Sequence, residues 1–335
     1  MTATLRDVAE RAGVSIRTVS NVVNGYRHVA DATRTRVQTA VDELGYRPNA
    51  AARNLRSRRT GIIALGVPEL SQPYFAELAD LVIDQAAAHA YTLVIEPTGG
   101  TAAGERRLAV ARDSPLAYDG LILSPLALGY KELSTRDGGA PAVMLGERGT
   151  RRLFDHVGID NVAAARAATE HLIGTGRRRL AAIGAQPGSL TNTATYRLRG
   201  FRAALDAANL PLPAERIAGV AEFGRAAGAA AMTQLLALDE PPDAVFCFND
   251  ALALGALRAA SARGVRVPDD LAIVGCDDIE DSRFVTPTLT TIAPDKAEIA
   301  RLAVERLIAR IRGDASTPRH YPAPYTLMPR ESSGP

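Results

Sequence analysis

Residues 4–25 read T-L-R-D-V-A-E-R-A-G-V-S-I-R-T-V-S-N-V-V-N-G. Thr4 stands three residues before Asp7, the spacing of a capping box, in which hydroxyl and carboxylate satisfy each other's free backbone donors. Leu5, Val8, Ala9 and Ala12 then recur with the helical period on one face. Gly13 ends that helix, because a left-handed turn residue costs little without a Cβ. Ser15 caps a second helix, with Val19, Val22 and Val23 turned inward and Ile16, Arg17, Ser20 and Asn21 turned elsewhere. Two short helices on a tight glycine turn make a helix-turn-helix, whose second helix fits the DNA major groove.

Reading outward, a third helix is expected over residues 31–44, with Val37, Ala40, Val41 and Leu44 on its apolar stripe and Gly45 as its stop. The next stretch, Y-R-P-N-A-A-A-R-N-L-R-S-R-R-T-G, is basic. Pro48 imposes an extended entry and Asn49 caps a short helix, Ala50–Leu55, which is marginal by itself. Residues 1–60 carry eleven Arg, no Lys, three Asp and two Glu, a net charge of +6, while the remaining chain is at −4. A basic head on a mildly acidic body points to a polyanionic partner for the head alone.

Thr4–Ser57 resembles the DNA-binding region of the lactose-repressor (LacI/GalR) family. The likeness rests on the opening run, on Thr33-Arg34-x-Arg36-Val37, on Leu44-Gly45-Tyr46-Arg47-Pro48-Asn49 and on Ala52-Arg53-x-Leu55. It implies that Ile16 and Arg17 read base edges, Arg17 by a bidentate contact to guanine. Asn21 stands where the family more often has Arg. Leu55 matches the hinge leucine that enters the minor groove and kinks the duplex, with the small Ala52 one turn before it. The implied DNA-facing set is Thr4, Ser15, Ile16, Arg17, Thr18, Ser20, Asn21, Asn24, His28, Asn49, Ala52, Arg53, Leu55 and Arg56. Ala30 replaces the family's usual capping Ser, and Asp31 is expected to take over as cap.

From Gly61 the texture changes. Apolar runs at 62–67, 91–96, 120–125, 142–147, 179–184, 216–221, 244–249 and 271–278 alternate with amphipathic stretches. Such alternation marks βαβ units and parallel sheets covered on both faces. About ten strands are expected, too many for one compact sheet, so two Rossmann-like subdomains with a cleft between them follow. This part resembles the periplasmic-binding-protein-like (type I) core of the same family. The expected organisation is therefore an all-α helix-turn-helix domain (1–47), a hinge helix and linker (48–60) and an α/β effector-binding core (61–330). By the same likeness the N-subdomain takes about 61–158 and 290–318, and the C-subdomain about 159–289 and 319–330, with crossings near 158–160, 288–291 and 318–321.

Ligands of open α/β sheets sit at the carboxyl ends of strands. Residues just after strands are thus candidates: Tyr74, Phe75, Phe223, Asn249 and Asp277, with Asp160 and Asn161 starting the second subdomain's first helix and Arg197 expected just before a helix. The family likeness sharpens Arg197, Phe223, Asn249 and Asp277 as pocket positions. A carboxylate, an amide and a guanidinium suit a polyhydroxy ligand, and an aromatic face suits a sugar or base ring. The alternative for Asp277 and Asn249 is that they cap helices or tie loops; Asp250 and Asp278 are read as structural caps.

Other signals are bland. Cys247 and Cys276 lie in apolar runs as buried thiols. Gly174-x-Gly176 caps a helix rather than holding a pyrophosphate. Ser124 and Ser189 lack a nucleophile-elbow context, and the five His residues form no catalytic pairing. No metal or cofactor is expected, no run nears the length of a membrane span, and the polar start is unlike a signal peptide, so a cytoplasmic protein is expected. Only five residues follow Arg330, without a tetramer-forming heptad. The reading is a non-enzymatic repressor, a homodimer on a pseudo-palindromic double-stranded operator, controlled by a sugar or sugar derivative. Its rivals are a solute-binding protein and a sugar- or nucleotide-acting α/β enzyme.

Overall fold

In the computed structural model, Thr4 opens the first helix as its spacing predicts. Its hydroxyl accepts the Asp7 amide at 3.4 Å, Asp7 Oδ2 accepts the Thr4 amide at 2.7 Å, and α1 runs Leu5–Ala12. Gly13 takes φ 64° and stops it. Ser15 Oγ accepts the Thr18 amide at 3.1 Å and starts α2, Ile16–Val23. The third helix, α3, is Asp31–Glu43. Val8, Ala9, Val19, Val22, Val37, Ala40 and Tyr46 form the head's own buried core. Two expectations shift here. No side chain caps α3: Ala30 occupies the cap position, and Asp31 is the first helical residue, where its charge favours the helix's positive end. Leu44 falls beyond the helix and is exposed, because the inner stripe is already filled by Tyr46.

The structure describes residues 3–23, 26, 28–46, 59–109, 118–129, 132–133, 139–146, 153–186 and 193–334. The expectations for Asn24, Asn49, Ala52, Arg53, Leu55, Arg56 and Ser189 therefore lie outside the described residues. The chain divides into two units, residues 1–60 and 61–335.

In the second unit the apolar runs become strands, the central ones shielded on both faces and the edge ones at 92–97 and 217–219 only in part. The first half of this core starts with β1 (Ile62–Val67), β2 (Thr92–Pro97), β3 (Gly120–Leu123), β4 (Ala142–Leu145) and β5 (Asp155–Gly158). The second holds β6 (Leu180–Ala185), β7 (Ile217–Gly219), β8 (Ala244–Cys247), β9 (Ala272–Cys276) and β10 (Thr290–Pro294). β11 (His320–Pro322) and β12 (Tyr325–Met328) follow. The sheet orders are β11-β5-β4-β3-β1-β2 and β12-β10-β9-β8-β6-β7, parallel throughout except the β10–β12 pair. Cys247 and Cys276 are buried at the ends of β8 and β9.

Helices cover the sheets. α4 (Pro73–Ala88) and α5 (Ala102–Ala109) lie in the first half. α6 (Asn161–Gly174), α7 (Thr193–Ala207), α8 (Arg225–Leu235), α9 (Asp250–Ala262) and the short α10 (Asp281–Phe284) lie in the second. α11 (Lys296–Ile311) packs on α4 and the first sheet. α8 and α9 cross at two glycines: a Cβ on Gly228 would meet the Leu252 carbonyl, and one on Gly255 the Arg225 carbonyl. Only hydrogen there lets the backbones touch.

The expected crossings need correction at two of three places. The chain does pass between halves from Gly158 to Asn161. The strand at 290–294, expected in the first half, pairs with β9 as Thr290↔Val274 and Ile292↔Cys276. The reason is polar: Thr291 Oγ1 donates to the buried Asp250 at 2.6 Å, and the Thr290 amide donates to Ser332 Oγ at 2.8 Å. Crossing therefore follows Pro294. Conversely, residues 320–322, expected in the second half, pair with β5. Buried Asp155 fixes them there, accepting the Arg319 amide at 2.9 Å and Arg310 Nε at 2.8 Å. Arg310 and Arg319 hold that carboxyl below its usual range despite the cost of burial.

Candidate functional site

Two surfaces carry the predicted residues. On the head, Ser15, Ile16 and Arg17 are exposed at the start of α2, and Ile16 is 43 % exposed without a core to join. Thr18, Ser20 and Asn21 are half-buried, and Thr18 Oγ1 lies 2.8 Å from Ser15 Oγ. Thr4 is spent on its cap. His28 is exposed, edge-on to Tyr26 with ring centroids 5.7 Å apart. The helix thus offers its first turn outward while Val19 and Val22 anchor the opposite face.

The second surface is a cleft of about 400 Å³ between the two sheets. It opens at the carboxyl ends of β1, β3, β6, β8 and β9. In each sheet the strand order reverses there, between β1 and β3 and between β6 and β8, which leaves a crevice. Tyr74, Phe75, Arg197, Phe223, Asn249 and Asp277 all line it. Tyr74 and Phe75 meet edge to face at 5.2 Å, at the start of α4.

Arg197 is the organiser. Only 7 % exposed, it donates from Nε to Asn161 Oδ1 at 2.7 Å and from Nη1 to the Phe248 carbonyl. Its Nη2 lies 3.7 Å from Asp277 Oδ1, close enough for attraction but too far for a direct hydrogen bond. Burial pushes the Asp277 carboxyl up to about 7, and Arg197 offsets this only in part. Burial, aided by Asp277's charge, also raises the Tyr74 phenol. Asp277 sits at φ 128° and Asp278 at φ 46°, both left-handed. Asn249 does two things: Oδ1 caps α9 through the Leu252 amide at 2.9 Å, and Nδ2 donates to the Phe223 carbonyl at 3.3 Å.

Asp160 falls outside the cleft. It is exposed and caps α6, accepting the Val162 and Ala163 amides at 3.0 Å. The next residue, buried Asn161, takes the place expected for it, because the cap turns Asp160 outward and the first helical residue inward. Gln186 and Thr193 are further lining residues that sequence reasoning missed. Gln186 follows β6 directly, so the strand-end rule reaches it. Ser124, noted earlier only for lacking an enzymatic context, lines the cleft by the same rule after β3. Asp250 and Asp278 are structural, but by tying loops. Asp250 accepts from Ile279 N (3.1 Å) and Ser282 Oγ (2.7 Å), and Asp278 bridges Arg330 (2.5 Å) and Arg283 (2.9 Å).

These carboxyls predict a pH response. Burial raises Asp277 to about 7 and Asp250 to about 6 from 3.8. A raised acid binds more protons folded than unfolded, so stability falls as pH rises from about 4 to 7. Half-buried His171, whose pKa burial lowers, opposes this as one group. The net loss from pH 5.5 to 8 is on the order of 2 kcal/mol, most of it absent in Asp277→Asn. Urea unfolding at both pH values checks it; equal midpoints for the unsubstituted chain would contradict it.

Comparison with known proteins agrees with this architecture. Residues 4–49 match the family described as bacterial regulatory proteins, lacI family, and residues 169–333 match a periplasmic binding protein-like domain. The chain is 37 % identical over 327 residues to the HTH-type transcriptional repressor PurR of Proteus mirabilis strain HI4320, covering 96 % of this chain and 94 % of that protein. It is 33 % identical to a transcriptional regulator CelR–cellobiose complex, with TM-score 0.73 and coverage of 98 % and 99 %. It is 28 % identical to the lac repressor dimer bound to operator and the anti-inducer ONPF, with TM-score 0.87 over the full length of both chains. Among the described residues no helix is long and apolar enough to cross a membrane. A helix-turn-helix head, a two-sheet core and full-length likeness to named repressors place this chain, as a transcription regulator and not an enzyme, in the LacI family of bacterial regulatory proteins.

Proposed function

We infer that the chain is a cytoplasmic, homodimeric repressor whose operator affinity is set by a sugar or sugar derivative held in the cleft. The observation that carries the ligand reading is the Arg197–Asp277–Asn249 set, buried and polar, beside Tyr74, Phe75 and Phe223. Fixed polar groups select hydroxyl patterns and the aromatic faces select a ring. The cellobiose bound by a 33 % identical regulator supports a sugar. The operator-bound lac repressor dimer supports two heads on a pseudo-palindrome, their half-sites about one helical turn apart. The ligand acts by binding the two cleft geometries unequally.

Two measurements test this. Selection of bound duplexes from a random library is expected to enrich a palindrome; no enrichment by the full-length protein at low salt would overturn the DNA reading. A thermal-shift screen of sugars, glycosides and nucleosides identifies the ligand by stabilisation. A nucleoside hit without a sugar hit would replace the ligand class. Ile16 and Arg17 are the proposed base readers, with Thr18, Ser20 and Asn21 flanking them. Arg17→Ala is expected to cost about 1–3 kcal/mol at one base pair per half-site and to relax preference there. A uniform loss across sequences would reduce Arg17 to a phosphate contact.

A further inference from the structure

The chain has 39 Lys and Arg residues, yet only Lys131 and Lys296 are lysines. Lys296 opens α11 directly after the crossing from β10. Its ammonium lies 2.6 Å from Glu77 Oε2 and donates to the Asp277 and Asp278 carbonyls, both at 2.9 Å. Three N–H donors therefore meet three oxygens around one compact cation, a geometry a planar guanidinium does not match. The side chain is 14 % exposed. Glu77 is also held on its other side, where Oε1 accepts the Glu280 amide at 2.9 Å.

These groups belong to different halves of the core. Glu77 is on α4, which packs against β1, β2 and α11. Asp277, Asp278 and Glu280 leave β9 of the second sheet. The cluster also touches the cleft twice. Tyr74, one turn before Glu77, has its ring centroid 6.0 Å from the ammonium. Asp277 lines the cleft, and its left-handed backbone, followed by a second left-handed residue, is strained unless its surroundings hold it. Lys296 supplies two of the bonds that hold it.

We propose that Glu77 and Lys296 form a latch across the cleft: Lys296 is a positioning residue for Asp277, and Glu77 transmits displacement of that segment to α4. The latch rests on the ligand-gated reading above, which it deepens. A ligand that pulls on Asp277 or Tyr74 loads the same ammonium, so occupancy and the angle between the halves become one equilibrium. Charge sets the balance: Lys296 favours ionised Asp277, Glu77 opposes it, and burial opposes it more than either.

The test uses the full-length protein without DNA or ligand. Spin labels at Arg106→Cys on α5 and Arg202→Cys on α7 report the separation of the halves, diluted with unlabelled subunits to isolate one chain. Both native cysteines are buried. Lys296→Met and Glu77→Gln are each expected to add a second distance population and to speed amide exchange at residues 277–281 by about tenfold or more. The double variant should add little to either single one, because both break one unit. A distance distribution unchanged in both variants overturns the latch, even if exchange at 277–281 rises, because Lys296 then only shapes that loop. Additive effects also overturn it. If Lys296→Met speeds exchange throughout β1 and β6, it has lost its fold and the near-isosteric Glu77→Gln decides. Failure to select a duplex would remove the DNA reading and leave these readouts intact.

Discussion

Deleting residues 1–58 is expected to abolish binding to the selected duplex, lowering affinity by roughly 10³-fold or more, while leaving the ligand-induced thermal shift unchanged. The size follows from the usual gap between specific and non-specific affinity, about 4–10 kcal/mol. The separation of effects follows from construction. The head closes its own apolar core with Val8, Val19, Val37 and Tyr46, and the remaining unit, residues 61–335, holds both sheets and the whole cleft. The excess charge of +6 leaves with the head, so salt sensitivity goes too, since counterion release scales with the phosphates contacted. Gel shifts at two salt concentrations and a thermal-shift assay on the same truncated protein check both halves. Retained duplex affinity would move DNA recognition to the core, and a lost thermal shift would show that the core needs the head.

Asp277→Ala is expected to eliminate the ligand response while unliganded DNA binding persists. Truncating one member of a buried, charged ligand contact costs about 2–5 kcal/mol, a loss of roughly 10²-fold or more in ligand affinity. In the unliganded protein Arg197 keeps its hydrogen bonds to Asn161 and the Phe248 carbonyl, which hold the guanidinium in place, while it loses its carboxylate neighbour at some cost in stability. Alanine at φ 128° remains strained, and some global stability is lost as well. Calorimetric titration with the identified ligand, beside a gel shift without it, separates the two. An unchanged ligand affinity would remove Asp277 from recognition. Loss of unliganded DNA binding would show instead that the segment 277–281 serves the repressing conformation directly.

How much of this was legible beforehand depends on the range of the interactions. The head was read almost entirely from sequence, since a capping box, a glycine stop and an inward valine triplet are set within four residues of one another. Leu44 and Asp31 went astray because their fate depends on Tyr46 and on the particular turn at Ala30. In the core, alternation of apolar runs and helices showed two parallel sheets, and the strand-end rule reached Tyr74, Phe223, Asn249 and Asp277. It erred at Asp160, where a one-residue difference in helix start decides which of two neighbours faces the cleft. The short strand β5, D-H-V-G, escaped because a buried Asp and His break an apolar run; Arg310 makes burial of that Asp tolerable, and Arg310 is 155 residues away.

The sequence alone determined that this chain joins a DNA-reading head to a two-sheet ligand-binding core, because hydrophobic period and cap spacing are local quantities. Tertiary structure alone decided that β10 and β11 exchange halves relative to expectation, that Asn161 rather than Asp160 faces the cleft, and that Lys296 meets Glu77 across 219 residues of chain. Each of these is set by a buried polar group finding its partner. Desolvation makes an unpaired buried charge costly, and the partner comes from wherever the fold brings one.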